Sequence, residues 1–305
     1  MNKDKYLIVI GGPTAIGKTS TSIGLAQKLQ CDIISADSRQ FYREMNIGTA
    51  KPSKEEQALA RHHFIDSLSI QDSYSVGNFE RDTLSLLEAL FIDKDYCILT
   101  GGSGLYLNAI CQGLDRFPDV SPDFRMVLNE ELDSKGIIPL QAELATADPI
   151  YYEKVDAQNP QRIIRALEII RSTGKTFSSF LRRTPVKRPF HILSFQLQMD
   201  RELLYQRINQ RVDIMIVEGL EAEAKSLYPA RNQNNALRTV GYTEWFNHFD
   251  GLTDRDTAVE LIKRNTRRYA KRQTTWFRNQ GNYQGIQQDG TAVEEILKMI
   301  ERFNQ

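Results

Sequence analysis

Tyr6-Leu7-Ile8-Val9-Ile10-Gly11-Gly12-Pro13-Thr14-Ala15-Ile16-Gly17-Lys18-Thr19-Ser20 is the stretch that decides the fold. Its first half is a short run rich in β-branched side chains, the pattern of a strand buried on both faces. Its second half satisfies G-x-x-x-x-G-K-[ST] at every defined position, through Gly12, Gly17, Lys18 and Thr19. Ser20 to Leu29 then places apolar residues at helical spacing. Strand, glycine loop and helix in this order are the context in which the motif cradles phosphates. The loop of Gly12, Pro13, Thr14, Ala15, Ile16 and Gly17 lets backbone N–H groups wrap an oligophosphate, and the helix N-terminus adds a favourable dipole. Lys18 supplies a point charge, and the Thr19 hydroxyl can ligate Mg²⁺. The expected fold is therefore α/β, a parallel sheet of the phosphate-loop type.

Composition sets wide bounds around that core. A chain of 305 residues with 41% hydrophobic and 26% charged residues has ample material for a globular core. Its length predicts about two domains, or one large one with an insertion. Thirty-nine basic residues balance thirty-nine acidic ones, so net charge identifies no partner and distribution matters more. Cys31, Cys97 and Cys111 lack metal-ligand spacing, sit among apolar or small residues, and read as buried thiols of a reducing cytosol. No apolar run approaches the ~20 residues of a membrane span, and Met1 to Lys5 does not read as a signal peptide.

Working outward, Asp32 to Ser35 reads as a second short strand with Asp37 just past its carboxyl end. Ligands of parallel α/β sheets bind outside those ends, which brings Asp37 near the phosphates. A carboxylate there holds Mg²⁺, serves as a base, or caps the segment after it. Ile47-Gly48-Thr49-Ala50-Lys51-Pro52 is a loop, followed by a helix start at Ser53 to Glu56 that nearly forms a capping box. His62 and His63 are adjacent and in a strand point to opposite faces, which favours structural roles over a metal pair. A helix runs from Ser75 to about Phe91. Tyr96 to Tyr106 repeats the strand-then-glycine design through Gly101-Gly102-Ser103-Gly104, suggesting a second wall of one site.

From about residue 116 to 188 the pattern changes to short helices, opened by Ser121-Pro122, Asp148-Pro149 and Asn159-Pro160. We read residues 1–115 and 189–305 as the core and 116–188 as an α-helical insertion. Arg162 and Arg165 are neighbours on one helix face, either a solvated basic face or a binding one. Arg182, Arg183, Lys187 and Arg188 form a basic return linker. His191 to Leu197 is the final core strand, with helices expected from there to the end. Arg238 precedes Val240-Gly241-Tyr242 in a loop or helix start, within reach of a site. The last long helix runs from Asp254 to Asn279, and from Lys263 to Arg278 it carries Lys263, Arg264, Arg267, Arg268, Lys271, Arg272 and Arg278 with no acid among them. Ala258, Ile262, Tyr269 and Trp276 form its packing stripe. A basic stripe on a neutral chain is the footprint expected for a nucleic-acid backbone.

Taken together, these residues make the chain resemble the tRNA dimethylallyltransferase (tRNA isopentenyltransferase) family. The likeness rests on Gly12 to Thr19, Asp37-Ser38-Arg39-Gln40, Ile47 to Pro52, Gly101 to Tyr106, Arg162-Ile163-Ile164-Arg165-Ala166-Leu167-Glu168, Val240-Gly241-Tyr242 and Lys271-Arg272-Gln273-Thr274-Thr275-Trp276, in family order over nearly the whole chain. Ile16 stands where small residues are commoner, but contributes mainly its backbone. Ser103 stands where Thr is usual, and keeps the hydroxyl. The zinc finger of eukaryotic relatives is absent, as in bacterial-type enzymes.

The resemblance implies transfer of a dimethylallyl group from dimethylallyl diphosphate to the exocyclic amine of the adenine 3′ of the anticodon, in tRNAs reading codons that begin with U. It implies Asp37 as base, with Thr19 and Arg238 helping the diphosphate leave and Mg²⁺ on Thr19. It further implies tRNA contacts from Asp37, Ser38, Arg39, Gln40, Ser103, Arg125, Gln161, Arg162, Ile163, Ile164 and Arg165. A cytoplasmic monomer with no membrane partner is expected. Two rivals use the same scaffold: an adenylate isopentenyltransferase or nucleotide kinase, and a non-catalytic RNA-binding module. The first needs neither helical insertion nor basic helix, and the second leaves Asp37 and the second glycine loop without a task.

Overall fold

The computed structural model describes residues 4–181, 184–233, 235–280 and 282–303, so Arg182 and Arg183 of the basic linker lie outside the described residues. The chain divides into two compact units, Met1–Gln112 with Lys187–Gln305, and Gly113–Val186.

In the first unit the elements run β1 (Tyr6–Gly11), α1 (Lys18–Leu29), β2 (Ile33–Ser35), α2 (Lys54–Leu59), β3 (His62–His63), α3 (Val76–Asp93), β4 (Tyr96–Gly101) and α4 (Gly104–Gln112). The second unit supplies α5 (Pro122–Lys135), α6 (Ile138–Ala147), α7 (Pro149–Tyr152) and α8 (Pro160–Thr173). The first unit resumes with β5 (His191–Gln198), α9 (Arg201–Glu218), α10 (Leu220–Leu227), α11 (Tyr242–Phe249), α12 (Arg255–Arg278), β6 (Gln284–Gln287) and α13 (Ala292–Phe303).

The strands form one six-stranded sheet in the order β3-β2-β4-β1-β5-β6, every pairing parallel. Side chains alternate across it. Leu7, Val9, Ile34 and Leu99 pack with Leu87, Leu107, Trp245 and Phe277 of the helices on one face. Ile8, Ile10, Ile33 and Ile98 pack with Leu25, Ile208 and Ile296 on the other. Both faces are thus covered, which is why β1 reads as an unbroken apolar run. Register then places the site: Gly11 lies opposite Gly101 and Ser35 opposite Thr100, so both glycine loops and the Asp37 segment leave the sheet side by side.

β6 corrects the expectation of helices alone after β5. Gln284-Gly285-Ile286-Gln287 has one buried residue, Ile286, and an edge strand so polar carries no hydrophobic signal. Ser53 and Ser75 do open α2 and α3 with capping boxes. His63 Nε2 lies 2.8 Å from Asp32 Oδ2 and His62 Nδ1 2.8 Å from the Ala60 carbonyl, structural roles for both. Cys31, Cys97 and Cys111 are free and buried, and burial pushes their thiols up, so they are inert packing.

In the second unit Ser121, Asp148 and Asn159 accept backbone N–H bonds at the starts of α5, α7 and α8, caps that contribute about 1 kcal/mol each. Its core gathers Leu128, Leu140, Leu144, Ile163, Leu167 and Phe177. Arg171 ties α8 to Glu131 of α5 and Glu143 of α6.

Candidate active site

The phosphate loop closes on itself. Gly17, at φ +104°, turns the chain into α1 in a conformation other residues resist. Lys18 Nζ donates to the carbonyls of Gly12 (3.1 Å) and Pro13 (2.8 Å). Thr14 N donates to Gln273 Oε1 at 2.9 Å, while Gln273 Nε2 donates to the Gly102 carbonyl at 3.0 Å. One buried amide of α12 therefore binds the two glycine loops together as two walls of one site.

Those walls border a cavity of about 650 Å³, lined by Lys18, Thr19, Asp37, Gln40, Arg211 and Tyr269 among others. Asp37 Oδ1 accepts the Arg39 N–H at 3.0 Å. The turn-capping role is real, yet the carboxylate has lone pairs left for the cavity. Arg211 of α9 donates from Nη1 to Thr14 Oγ1 at 3.3 Å, which sets its guanidinium against the loop. Burial lowers its pKa, and the Asp37 carboxylate opposes that shift. The Tyr269 phenol is pushed up to about 12, first by burial and then by Asp37, although the residue as a whole remains 37% exposed. Tyr269 is thus off the packing stripe to which its spacing assigned it. Ser103 and Ser38 are half-buried on the adjoining loops, and Arg39 lines a smaller cavity beside the first.

Enclosure lowers the Lys18 amine to about 8, with Asp37 pulling it up and Arg211 pushing it further down. The folded chain therefore releases this proton before the unfolded chain does. Its contribution to stability grows as pH rises from about 8 toward 10.5 and is lost on the way down. Function runs the opposite way, because the charge that attracts phosphate disappears. Binding of inorganic pyrophosphate, followed by calorimetry, is expected to weaken as pH rises through about 8. An affinity that stays flat across that range would remove Lys18 as the titrating contact.

The Thr19 hydroxyl and Asp37 carboxylate both line this cavity, and such hard oxygens beside ligand phosphates are a donor set that fits Mg²⁺. Among the described residues no group of three His, Cys, Asp or Glu forms an all-protein cage for a metal.

Arg238 is exposed and is not itself among the cavity-lining residues, although Thr239, Val240 and Gly241 beside it line the smaller cavity, and Arg211 lies against the phosphate loop. Arg211 is not part of any local motif and Gln273 stands only within the Lys271 to Trp276 stretch, although each carries a signal in the sequence. Arg211 shares a helical stripe with Leu204, Ile208 and Val212, and Gln273 shares one with Ala270 and Phe277. A polar residue on a buried stripe is informative. On α12, Lys263 is neutralised by Asp213 of α9 and by Glu260 of its own helix, while Arg267 keeps its charge and donates to Asn209 of α9. Arg264, Arg268, Lys271, Arg272 and Arg278 remain exposed.

In the second unit Gln161 and Arg162 are exposed at the start of α8, but Ile163 and Ile164 are buried in that unit's core. Their side chains pack α8 and leave the surface to their neighbours. Arg125 and Arg165 both pair with Glu168, at 2.7 and 3.2 Å.

Comparison with known proteins places these features in company. Residues 40–280 match the family described as IPP transferase. The chain is 55% identical to the tRNA dimethylallyltransferase of Christiangramia forsetii over 90% of each chain. It is 50% identical to that of Flavobacterium johnsoniae over 97% of this chain and 98% of the relative. Among solved structures, a tRNA isopentenylpyrophosphate transferase of Bacillus halodurans superposes with a TM-score of 0.73 at 37% identity, covering 98% of this chain and 96% of that one. A eukaryotic dimethylallyltransferase acting on tRNA gives a TM-score of 0.83 at 26% identity, covering 98% of this chain and 79% of that one.

Proposed function

The chain belongs to the IPP transferase family, and from that premise we propose that it transfers a dimethylallyl group from dimethylallyl diphosphate to the exocyclic amine of the adenine 3′-adjacent to the anticodon, in tRNAs reading codons that begin with U. The observation that carries the reading is the meeting of Lys18, Arg211 and Asp37 on one cavity. Two cations suit a diphosphate, and the carboxylate beside them suits an amine that must lose a proton.

The loop amides, Lys18 and Arg211 hold the diphosphate. As the allylic C–O bond breaks, its electron pair leaves with the diphosphate, where these groups meet the growing charge. Thr19 would hold Mg²⁺, which would supply further charge neutralisation to the departing diphosphate. The adenine amine forms the new C–N bond. Its lone pair is delocalised into the ring, so loss of its proton to Asp37 is worth roughly 10²–10⁴ in rate.

The adenine reaches the cavity by leaving the anticodon-loop stack, as in other base-modifying enzymes. Asp37, Ser38, Arg39, Gln40 and Ser103 receive it in the first unit. Arg125, Gln161, Arg162 and Arg165 meet the RNA in the second, on a helix that Ile163 and Ile164 anchor. Exposed Arg264, Arg268, Lys271 and Arg272 on α12 take backbone phosphates. No helix among the described residues is long and apolar enough to cross a membrane.

The test is a mass scan of nucleosides from a tRNA whose anticodon loop carries adjacent adenines, after incubation with dimethylallyl diphosphate, Mg²⁺ and the protein. A five-carbon addition at the adenine beside the anticodon is expected. Prenylation of free nucleotide without any of tRNA would overturn the acceptor assignment.

A further inference from the structure

The reaction as derived gives no task to Val240-Gly241-Tyr242 or to the Ile47–Pro52 loop, yet one carboxylate joins them. Glu223 of α10 accepts backbone N–H bonds from Asn46 (2.9 Å) and Ile47 (2.8 Å) on Oε2. On Oε1 it accepts the Gly48 N–H (3.0 Å) and the Tyr242 hydroxyl (2.7 Å). Four donors occupy about all the lone-pair sites that a carboxylate offers. The three N–H groups are consecutive at the start of the single 3₁₀ turn Ile47–Thr49, where backbone donors lack partners within the turn. Gly48 is required there, because a Cβ would sit 2.6 Å from the Tyr242 ring.

From this clip a chain of hydrogen bonds leads to the backbone of Asp37. Gln40 Nε2 donates to the carbonyls of Thr49 and Ala50, both at 3.2 Å. Gln40 Oε1 accepts from Ser35 Oγ at 3.1 Å, and Ser35 Oγ accepts the Asp37 N–H at 3.3 Å. At its other end Glu223 sits on α10, which follows α9 and its Arg211 after the single residue Gly219. Glu223 thus spans the two sides of the cavity that carry the base and the guanidinium.

We propose that Glu223 is a positioning residue for the transfer, holding the Asp37 segment and the Arg211 helix at their working separation through the Asn46–Ala50 loop and Gln40. The proposal rests on Asp37 acting as the base. A misplacement of about 1 Å at reacting groups can cost about 10² in rate, so a clip remote from the chemistry can govern it.

Glu223→Gln keeps the volume but turns an NH₂ group toward donors that need an acceptor. Single-turnover prenyl transfer is expected to fall by about 10²-fold, with tRNA affinity unchanged. Glu223→Asp should restore part of the rate, and Tyr242→Phe, which leaves the three backbone bonds, should lose less. Gly48→Ala supplies an independent variant, moving the loop without touching a charge, and its single-turnover rate should fall too. A wild-type rate in Glu223→Gln and Gly48→Ala would overturn the proposal. So would rate losses that track the unfolding midpoint across all four variants. Asp37→Ala run alongside separates the premises. If it stays active, the base assignment fails; if it is dead while Glu223→Gln is fully active, only the positioning role fails.

Discussion

Asp37→Ala is expected to abolish measurable prenyl transfer, a loss of roughly 10²–10⁴ in turnover, while tRNA binding survives largely intact. The affinity should survive because the RNA contacts proposed above are mostly with cations elsewhere on the chain. The rate falls because Asp37 is the carboxylate set beside Lys18, Thr19 and Gly101, whereas two of the other carboxylates that line the cavity, Asp66 and Glu56, are engaged by Lys51 and by the Ser53 N–H. Asp37 has a second task, since Oδ1 accepts the Arg39 N–H at 3.0 Å, and alanine removes both. Asp37→Asn separates them. The amide oxygen still caps the turn but is a very weak base, so the asparagine variant should be as inactive as the alanine one. Rapid mixing with a radiolabelled donor measures both. An asparagine variant with near wild-type turnover would leave Asp37 as a turn residue and nothing more.

Arg211→Ala should lower kcat/KM for the prenyl donor by about 10²–10³, the cost of removing one preorganised electrostatic contact from a departing anion. Arg211 is half-buried against the phosphate loop and donates to Thr14, so its charge is held in place before the donor arrives. Arg211→Lys should recover only part, because an ammonium on a flexible stem does not reproduce the planar fork. Arg238→Ala makes the informative contrast. Arg238 is exposed and outside the cavity lining, so its loss should be far smaller. If Arg238→Ala proved the worse of the two, the assignment of the guanidinium would reverse.

Much of the architecture was legible because the strongest signals are local. Gly12 to Thr19 needs only its own residues to declare a phosphate loop, and Ser121-Pro122 or Asn159-Pro160 declare helix starts in the same way. Parallel strands buried on both faces announce themselves as apolar runs, as β1 and β4 do. β6 has one inward residue and four residues in all, so nothing local marks it, and only the neighbouring β5 makes it a strand. The site residues that escaped notice did so for a related reason. Gln273 acts on Thr14 and Gly102, and Arg211 acts on Thr14, each across most of the chain. Their roles exist only once α9 and α12 are packed on the sheet. Of the two acids that pair with Lys263, Glu260 is on α12 itself, but Asp213 comes from another helix, which no inspection of α12 alone reveals.

The strand order also has a consequence for biosynthesis. β1 is made first, yet its partners are β4 and β5, with Tyr6 opposite Tyr96 on one side and His191 on the other. At roughly 5–20 residues per second, the ribosome leaves this apolar strand without its second neighbour for on the order of ten to forty seconds. The helical unit Gly113–Val186 emerges within that interval, and its contacts are local, so it can compact while the sheet waits. The nascent chain thus carries an apolar strand that lacks one neighbour for more than half of its synthesis, and its phosphate loop acquires the Gln273 bridge only when about nine-tenths of the chain has been made.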